Sequence, residues 1–143
     1  ALLMQAVIPK MKEKNFGRII NITSAMVKNP HLIMGLSTSA RSGLHGLSKA
    51  LSREVAQYNI TINNVLPERI NTDRQTQILN FQAKLADSSY EEARKELEES
   101  LTAKRMGTVE EFAGICTFLC SEQAAYISGQ NISVDGGNST NLI

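Results

Sequence analysis

The sequence predicts an α/β fold: three short parallel strands joined by helices. Three observations lead there. Gly17-Arg-Ile-Ile-Asn-Ile22 is a short apolar run of the kind that forms a buried strand. Asn59-Ile-Thr-Ile-Asn-Asn-Val-Leu66 alternates and is rich in β-branched residues, which reads as a second strand; Gly129-Gln-Asn-Ile-Ser-Val-Asp-Gly-Gly137 reads as a third, ending in a glycine turn. Helical patterns separate each strand from the next, and strands joined by helical crossovers lie parallel.

Taken in order, residues 1–14 read as a helix with Leu3, Val7 and Met11 on one stripe. No Ser, Thr, Asp or Asn precedes that pattern and no Met opens the chain, so the expectation is a fragment that begins inside a helix; a natural short domain processed at its N-terminus is the alternative. After the first strand and a loop, a long helical pattern carries apolar or small residues at Ile33, Leu36, Ala40, Leu44, Leu47, Leu51 and Val55. Those steps of three or four residues make one face. Ser37 and Arg41 lie four apart on a different face, one turn above the other. His45 falls off the apolar stripe and reads as a surface residue.

Beyond the second strand, Thr72 with Gln75 is a capping box that starts a helix near Asp73. Ser88 with Glu91, or Ser89 with Glu92, starts another that runs to about Leu101, so residues 73–101 form a helical insert. Glu91 and Lys95 have the spacing of a favourable pair on a solvated face. Thr108 with Glu111 opens the last helix, with Val109, Phe112, Cys116, Leu119 and Cys120 on one side. The two cysteines have no His or further Cys nearby in sequence and read as small buried side chains.

The chain has 143 residues, 42% of them hydrophobic, which is one domain's worth. Fifteen basic residues against 14 acidic ones leave a net charge of +1, with no electrostatic footprint for nucleic acid or a membrane surface. No signal peptide and no apolar run long enough to span a bilayer is present, so a soluble cytoplasmic protein is expected. His31 and His45 lack metal-ligand spacing, and no metal is expected.

The succession of strand, Asn21-Ile-Thr-Ser24, loop, and a helix ending in Leu51-Ser-Arg-Glu54 resembles the second half of a short-chain dehydrogenase/reductase, especially the 3-oxoacyl carrier-protein reductase branch. Gln5-Ala-Val-Ile-Pro9, Lys104-Arg-Met-Gly-Thr-Val-Glu-Glu-Phe112, Tyr126-Ile-Ser-Gly-Gln130 and Val134-Asp-Gly-Gly137 match further segments of that family in the right order. The resemblance therefore covers nearly the whole chain. It implies the C-terminal half of a doubly wound Rossmann-type parallel sheet, with residues 1–143 one partial domain lacking the dinucleotide-binding half. The family's Gly-x-x-x-Gly-x-Gly turn, which brings backbone amides to a pyrophosphate at a helix N-terminus, does not occur in the sequence. Weak or absent binding of NAD or NADP by this chain alone is the expectation. The resemblance also implies a homodimer or homotetramer, paired through the helices that match residues 1–14 and 31–58.

In this family a catalytic Ser follows the strand, and a Tyr thirteen residues on opens Tyr-x-x-x-Lys. Ser24 matches the Ser, but the Tyr position holds Ser37 and the Lys position Arg41. A Tyr phenol titrates near ~10 and a neighbouring cation lowers it. A serine alcohol has no accessible titration without a base, and no His is placed to serve. By resemblance, Ser24 orients substrate, Arg41 holds the nicotinamide ribose, and Ser37 or a water manages the proton. Ile22, Arg41, Pro67, Ile70 and Thr72 fall at cofactor-contacting positions.

Thr72 matches the Thr that bonds the nicotinamide amide, although its N-cap role explains it equally well. Glu68 replaces the glycine of a Pro-Gly turn; it contacts substrate, pairs with Arg69 or Arg74, or points into solvent. His31, after Pro30, is a candidate substrate contact. Tyr58, Tyr90 and Tyr126 read as packing or surface residues. The sequence thus supports an NAD(P)-dependent oxidoreductase acting on a carbonyl or alcohol in its full-length form. The alternative is a catalytically impaired relative that serves as an oligomeric scaffold or ligand-binding protein.

Overall fold

The computed structural model describes residues 1–142. Helix α1 (Leu2–Lys14) ends at Asn15, whose left-handed backbone (φ 50°) lets its N–H close the last turn. Strand β1 (Gly17–Ile22) follows, then two short 3-10 turns at Ala25–Val27 and Leu32–Met34, then the long helix α2 (Gly35–Val55). Strand β2 (Ile60–Pro67) leads to the insert, helices α3 (Asp73–Leu85) and α4 (Tyr90–Ser100). Helix α5 (Val109–Cys120) and strand β3 (Asn131–Val134) complete the chain. No described helix is long and apolar enough to cross a membrane.

The sheet runs β1-β2-β3 and every pairing is parallel, as the helical crossovers require. Strand β2 is central and buried at every position but Pro67. Its side chains alternate between two cores. Ile60 and Ile62 meet Met4, Ile8 and Val55, so α1 and α2 cover one face. Val65 meets Leu119 and Ala124, so α5 covers the other. A third cluster, Leu79, Leu101 and Met106, joins the two insert helices. Full burial of each such side chain contributes roughly 1.5–3 kcal/mol.

Polar residues in β2 are tied across the sheet. Asn21, Asn64 and Asn131 share one register line, and Asn64 accepts from Asn21 Nδ2 (3.0 Å) while donating to Asn131 Oδ1 (2.7 Å). Asn63 donates to the Ile127 carbonyl and accepts from the Gln130 N–H. Gly129 is a close approach: at φ 69° a Cβ there would stand 2.6 Å from Ser52 Oγ.

Several local expectations are corrected. On α1 the inward residues are Met4 and Ile8, with Met11 partly buried beside them, whereas Leu3 is exposed and Val7 lies at the edge. The first two inward positions sit one residue beyond Leu3 and Val7, because apolar side chains in the first turns, Leu2 to Met4 and Ala6 to Ile8, offer more than one face. On α2, only Leu44, Leu51 and Val55 of the expected stripe pack inward; Ile33, Leu36 and Ala40 are exposed and Leu47 is marginal. The inward surface instead includes Thr38, His45, Ser48 and Ser52. Cys116 is half-buried and Cys120 exposed, so the cysteines are not both core residues. Capping chose Ser89 with Glu92, and the insert's ion pairs are Arg94–Glu98 and Lys95–Glu99 rather than Glu91–Lys95.

Candidate functional site

The site forms at the carboxyl ends of the parallel strands, where open α/β sheets bind ligands. Strand β1 continues one bond past its end, with the Thr23 N–H donating to the Val65 carbonyl at 2.9 Å. Ser24 then caps the Ala25–Val27 turn: its Oγ accepts from the Met26 N–H at 3.2 Å. That bond uses an acceptor lone pair and leaves the hydroxyl hydrogen free to donate. Ser24 is half-buried, within reach of a ligand over the strand ends.

Ser37 and Arg41 stack on α2 as their spacing predicts. The Arg41 guanidinium donates to both the Ser37 hydroxyl and the Ser37 carbonyl (3.2 Å to the latter). Each is half-buried. The bond keeps a fixed cation beside an alcohol, but no base adjoins that alcohol.

Ile22, Pro67, Ile70 and Thr72 line one recess of about 310 Å³. These are four of the five positions expected to contact a cofactor; the fifth, Arg41, is outside it. Val109 and Phe112 from the start of α5 complete the lining, and sequence reasoning had assigned both only to the apolar stripe of that helix. Their proximity follows from the capped start of α5, where Glu111 and Thr108 bond reciprocally. The loop before α3 is pinned at Gly107: its N–H donates to the Arg69 carbonyl and its carbonyl accepts from the Asn71 N–H. A Cβ at Gly107 would stand 2.8 Å from Ile70 Cδ1, so glycine there leaves room for the recess wall.

Thr72 Oγ1 accepts from the Gln75 N–H at 3.4 Å, which caps α3, but the Gln75 side chain does not return the bond, so the expected capping box is only half formed. Its hydroxyl hydrogen remains available to an acceptor in the recess. The recess is thus an apolar slot with one hydroxyl donor at its edge, which could hold a flat ring bearing a polar acceptor.

Glu68 pairs with neither Arg69 nor Arg74; its carboxylate accepts from Asn138 Nδ2 at 3.0 Å. It lines a second, polar recess of about 380 Å³ with Arg69, Arg105, Glu111 and Asp135. Arg105 donates twice to Glu111 (2.8 and 2.6 Å), and this together with the Thr108 N–H holds the Glu111 carboxyl down to about 2. Ile70 is common to both recesses.

His31 is exposed and makes no cap bond, so nothing ties it to Ser24. Tyr58 packs beside the first core, Tyr90 beside the insert core, and Tyr126 is fully exposed. His45, expected at the surface, is buried, its Nε2 standing 2.8 Å from Thr23 Oγ1. Apolar periodicity could not reveal that, because a polar residue facing inward leaves no hydrophobic signal.

Comparison with known proteins follows the same lines. The family described as enoyl-(acyl carrier protein) reductase matches residues 1–139. The NADPH-dependent reductase BacG of Bacillus subtilis is 39% identical over 128 residues, which are 90% of this chain and 49% of the relative. Dehydrogenase/reductase SDR family member 4 of Sus scrofa is 36% identical over 142 residues, 99% of this chain and 47% of the relative. The crystal structure of YwfH, an NADPH-dependent reductase involved in bacilysin biosynthesis, superposes with a TM-score of 0.89 at 35% identity, over 97% of this chain and 53% of that one. An actinorhodin polyketide ketoreductase with NADPH superposes with a TM-score of 0.83 at 27% identity, over 92% and 50%. The chain spans about half the length of the curated relatives it matches. With the strand order, the recess at the strand ends and these matches in agreement, the chain belongs to the short-chain dehydrogenase/reductase family.

Proposed function

We propose that the full-length protein is an NAD(P)-dependent oxidoreductase that transfers a hydride between a nicotinamide cofactor and a small carbonyl or alcohol substrate. The observation that carries this reading is the single recess lined by Ile22, Pro67, Ile70 and Thr72 at the strand ends. A bound reduced nicotinamide would supply the hydride. Ile22, Pro67 and Ile70 exclude water from the ring face, and the Thr72 hydroxyl donates to its carboxamide. Ser24 donates its free hydroxyl hydrogen to the substrate oxygen and so orients the carbonyl. Arg41 adds a positive charge near the ribose, and Ser37 holds the water that delivers the proton to the substrate oxygen. Glu68 bounds the substrate side from the adjoining polar recess.

Binding tests this on the full-length protein. Ile22 is 64% exposed, so Ile22→Asp should fold while putting a charge into the slot. Cofactor affinity should fall about tenfold or more, equivalent to about 1.4 kcal/mol. Unchanged affinity would remove the recess as the nicotinamide site. The 143-residue chain alone should show no saturable nicotinamide fluorescence at sub-millimolar cofactor.

One observation favours the second reading, a catalytically impaired scaffold or ligand-binding protein: Arg41 and Ser37 satisfy each other. Cofactor binding by the full-length protein without turnover of any carbonyl would decide for it. On either reading the protein forms a homodimer or homotetramer, supported by exposed Leu32 and Ile33 in the 3-10 turn before α2 and Leu36 in its first turn. A cytoplasmic location is part of the same proposal.

A further inference from the structure

The hydride chemistry above has no use for His45, yet this imidazole is buried on α2 one turn beyond Arg41. It meets Thr23, also buried, which immediately precedes Ser24. We propose that His45 is a positioning residue: through Thr23 it fixes the exit of β1 that carries Ser24 against the helix that carries Ser37 and Arg41. The proposal rests on the reading of Ser24 as the residue that orients substrate.

Four bonds hold this exit. The Thr23 N–H stays on the β2 ladder, and Ser24 caps its own turn, which packs on α2. Neither of those bonds reaches α2. Two side-chain contacts do: Asn21 Nδ2 to Ser48 Oγ at 3.0 Å, and Thr23 to His45 at 2.8 Å. Only the second adjoins Ser24. A shift of α2 along the sheet would reach Ser24 through this pair as well as through the packed turn, and a small displacement of an orienting group is costly to rate.

The surroundings keep the imidazole neutral. Lys28, from the end of the 3-10 turn, and Lys49, on α2 itself, line the recess beside His45 together with Ser42; among the described residues no side-chain carboxylate lines it. Lys49 Nζ also donates to the Gly129 carbonyl at 3.2 Å. Burial first, and Lys28 second, pull the His45 pKa below its ordinary 6.5. With the ring hydrogen on Nδ1, the tautomer this proposal assigns, neutral His45 accepts the Thr23 hydroxyl hydrogen at Nε2. Protonation forces Thr23 to turn and accept instead, and puts a second cation beside Lys28. Because the folded-state pKa is lowered, the link's contribution is complete above the unfolded-state value of 6.5. It is lost as pH falls through the lower folded-state value.

Nuclear magnetic resonance on the 143-residue chain tests the coupling without any turnover. Only two histidines are present, and exposed His31 is an internal control. The His45 ring should titrate below 6.5, and the Ser24 amide should move with the same midpoint. Thr23→Val should uncouple the Ser24 amide while the ring still titrates; Lys28→Met should raise the ring's midpoint. Should Thr23→Val fail to fold, Thr23→Ser must keep the coupling and His45→Gln must abolish the amide's response. A Ser24 amide that stays flat, or follows His31, overturns the proposal. Failure of the functional reading is separable: Ser24→Ala with unchanged turnover in the full-length protein, while the amide still tracks His45, removes substrate orientation and leaves the coupling standing.

Discussion

The two halves of α2 invert the usual rule in opposite ways. Its first turns and the 3-10 turn before them present Leu32, Ile33 and Leu36 to solvent at 94%, 84% and 92% exposure. Its later turns bury His45, Ser48 and Ser52 beside Val55. The buried polar groups are affordable because each has a partner: His45 has Thr23, Ser48 donates to the Leu44 carbonyl, and Ser52 to the Lys49 carbonyl. A hydrogen-bonded hydroxyl costs little inside a protein, whereas an exposed leucine gains nothing from packing. The lesson is that apolar periodicity locates a helix but does not say which of its faces meets the sheet.

The largest expected effect lies in the first half. In full-length protein, Ser37→Tyr with Arg41→Lys should raise carbonyl turnover, since a positioned general acid is worth ~10²–10⁴-fold. Ser24→Ala should lower it. If the double variant folds, binds cofactor and is no faster, Ser37 does not occupy the position of the proton donor and steady-state rates will say so.

A smaller but sharper contrast comes from truncating one side chain in each half. Val55→Ala, at 0% exposure, should cost about 2 kcal/mol in denaturant unfolding, and Leu36→Ala should stay within about 0.5 kcal/mol in a monomer. A concentration-dependent loss at Leu36 would instead show that a second copy covers that face, and light scattering should then detect the change in mass.

Gly129→Ala should destabilise the chain by about 1–3 kcal/mol, because it adds a Cβ against Ser52 on the buried half and forces a left-handed backbone on alanine. An equally large effect from Gly43→Ala, where a Cβ meets nothing, would mean that α2 is strained throughout.

The smallest effect is a control remote from α2. Arg105 holds the exposed Glu111 carboxyl to about 2, so this pair's contribution is present above the ordinary value near 4.5 and lost as pH falls through about 2. Arg105→Ala should flatten that part of the acid unfolding curve and leave the His45 titration untouched. Movement of both would couple the polar recess to the β1 exit.

Much of the frame was legible from the residues alone. β-Branched runs made strands, and Thr72, Ser89 and Thr108 marked helix starts, because these signals are local in the chain; the choice of Ser24, Ser37 and Arg41 came from the family resemblance instead. Local chemistry also ensured that Arg41 would meet Ser37, four residues apart on one helix. What only the tertiary structure decided was every relation between distant segments. Docking of α2 turned His45 inward onto Thr23. Pinning of the loop at Gly107 brought Val109 and Phe112 to the recess with Ile22. Glu68 found Asn138 because β2 and β3 end side by side. A polar residue carries no periodic signal of burial; for His45 the place inside depends on Thr23, a partner that the chain supplies from another segment.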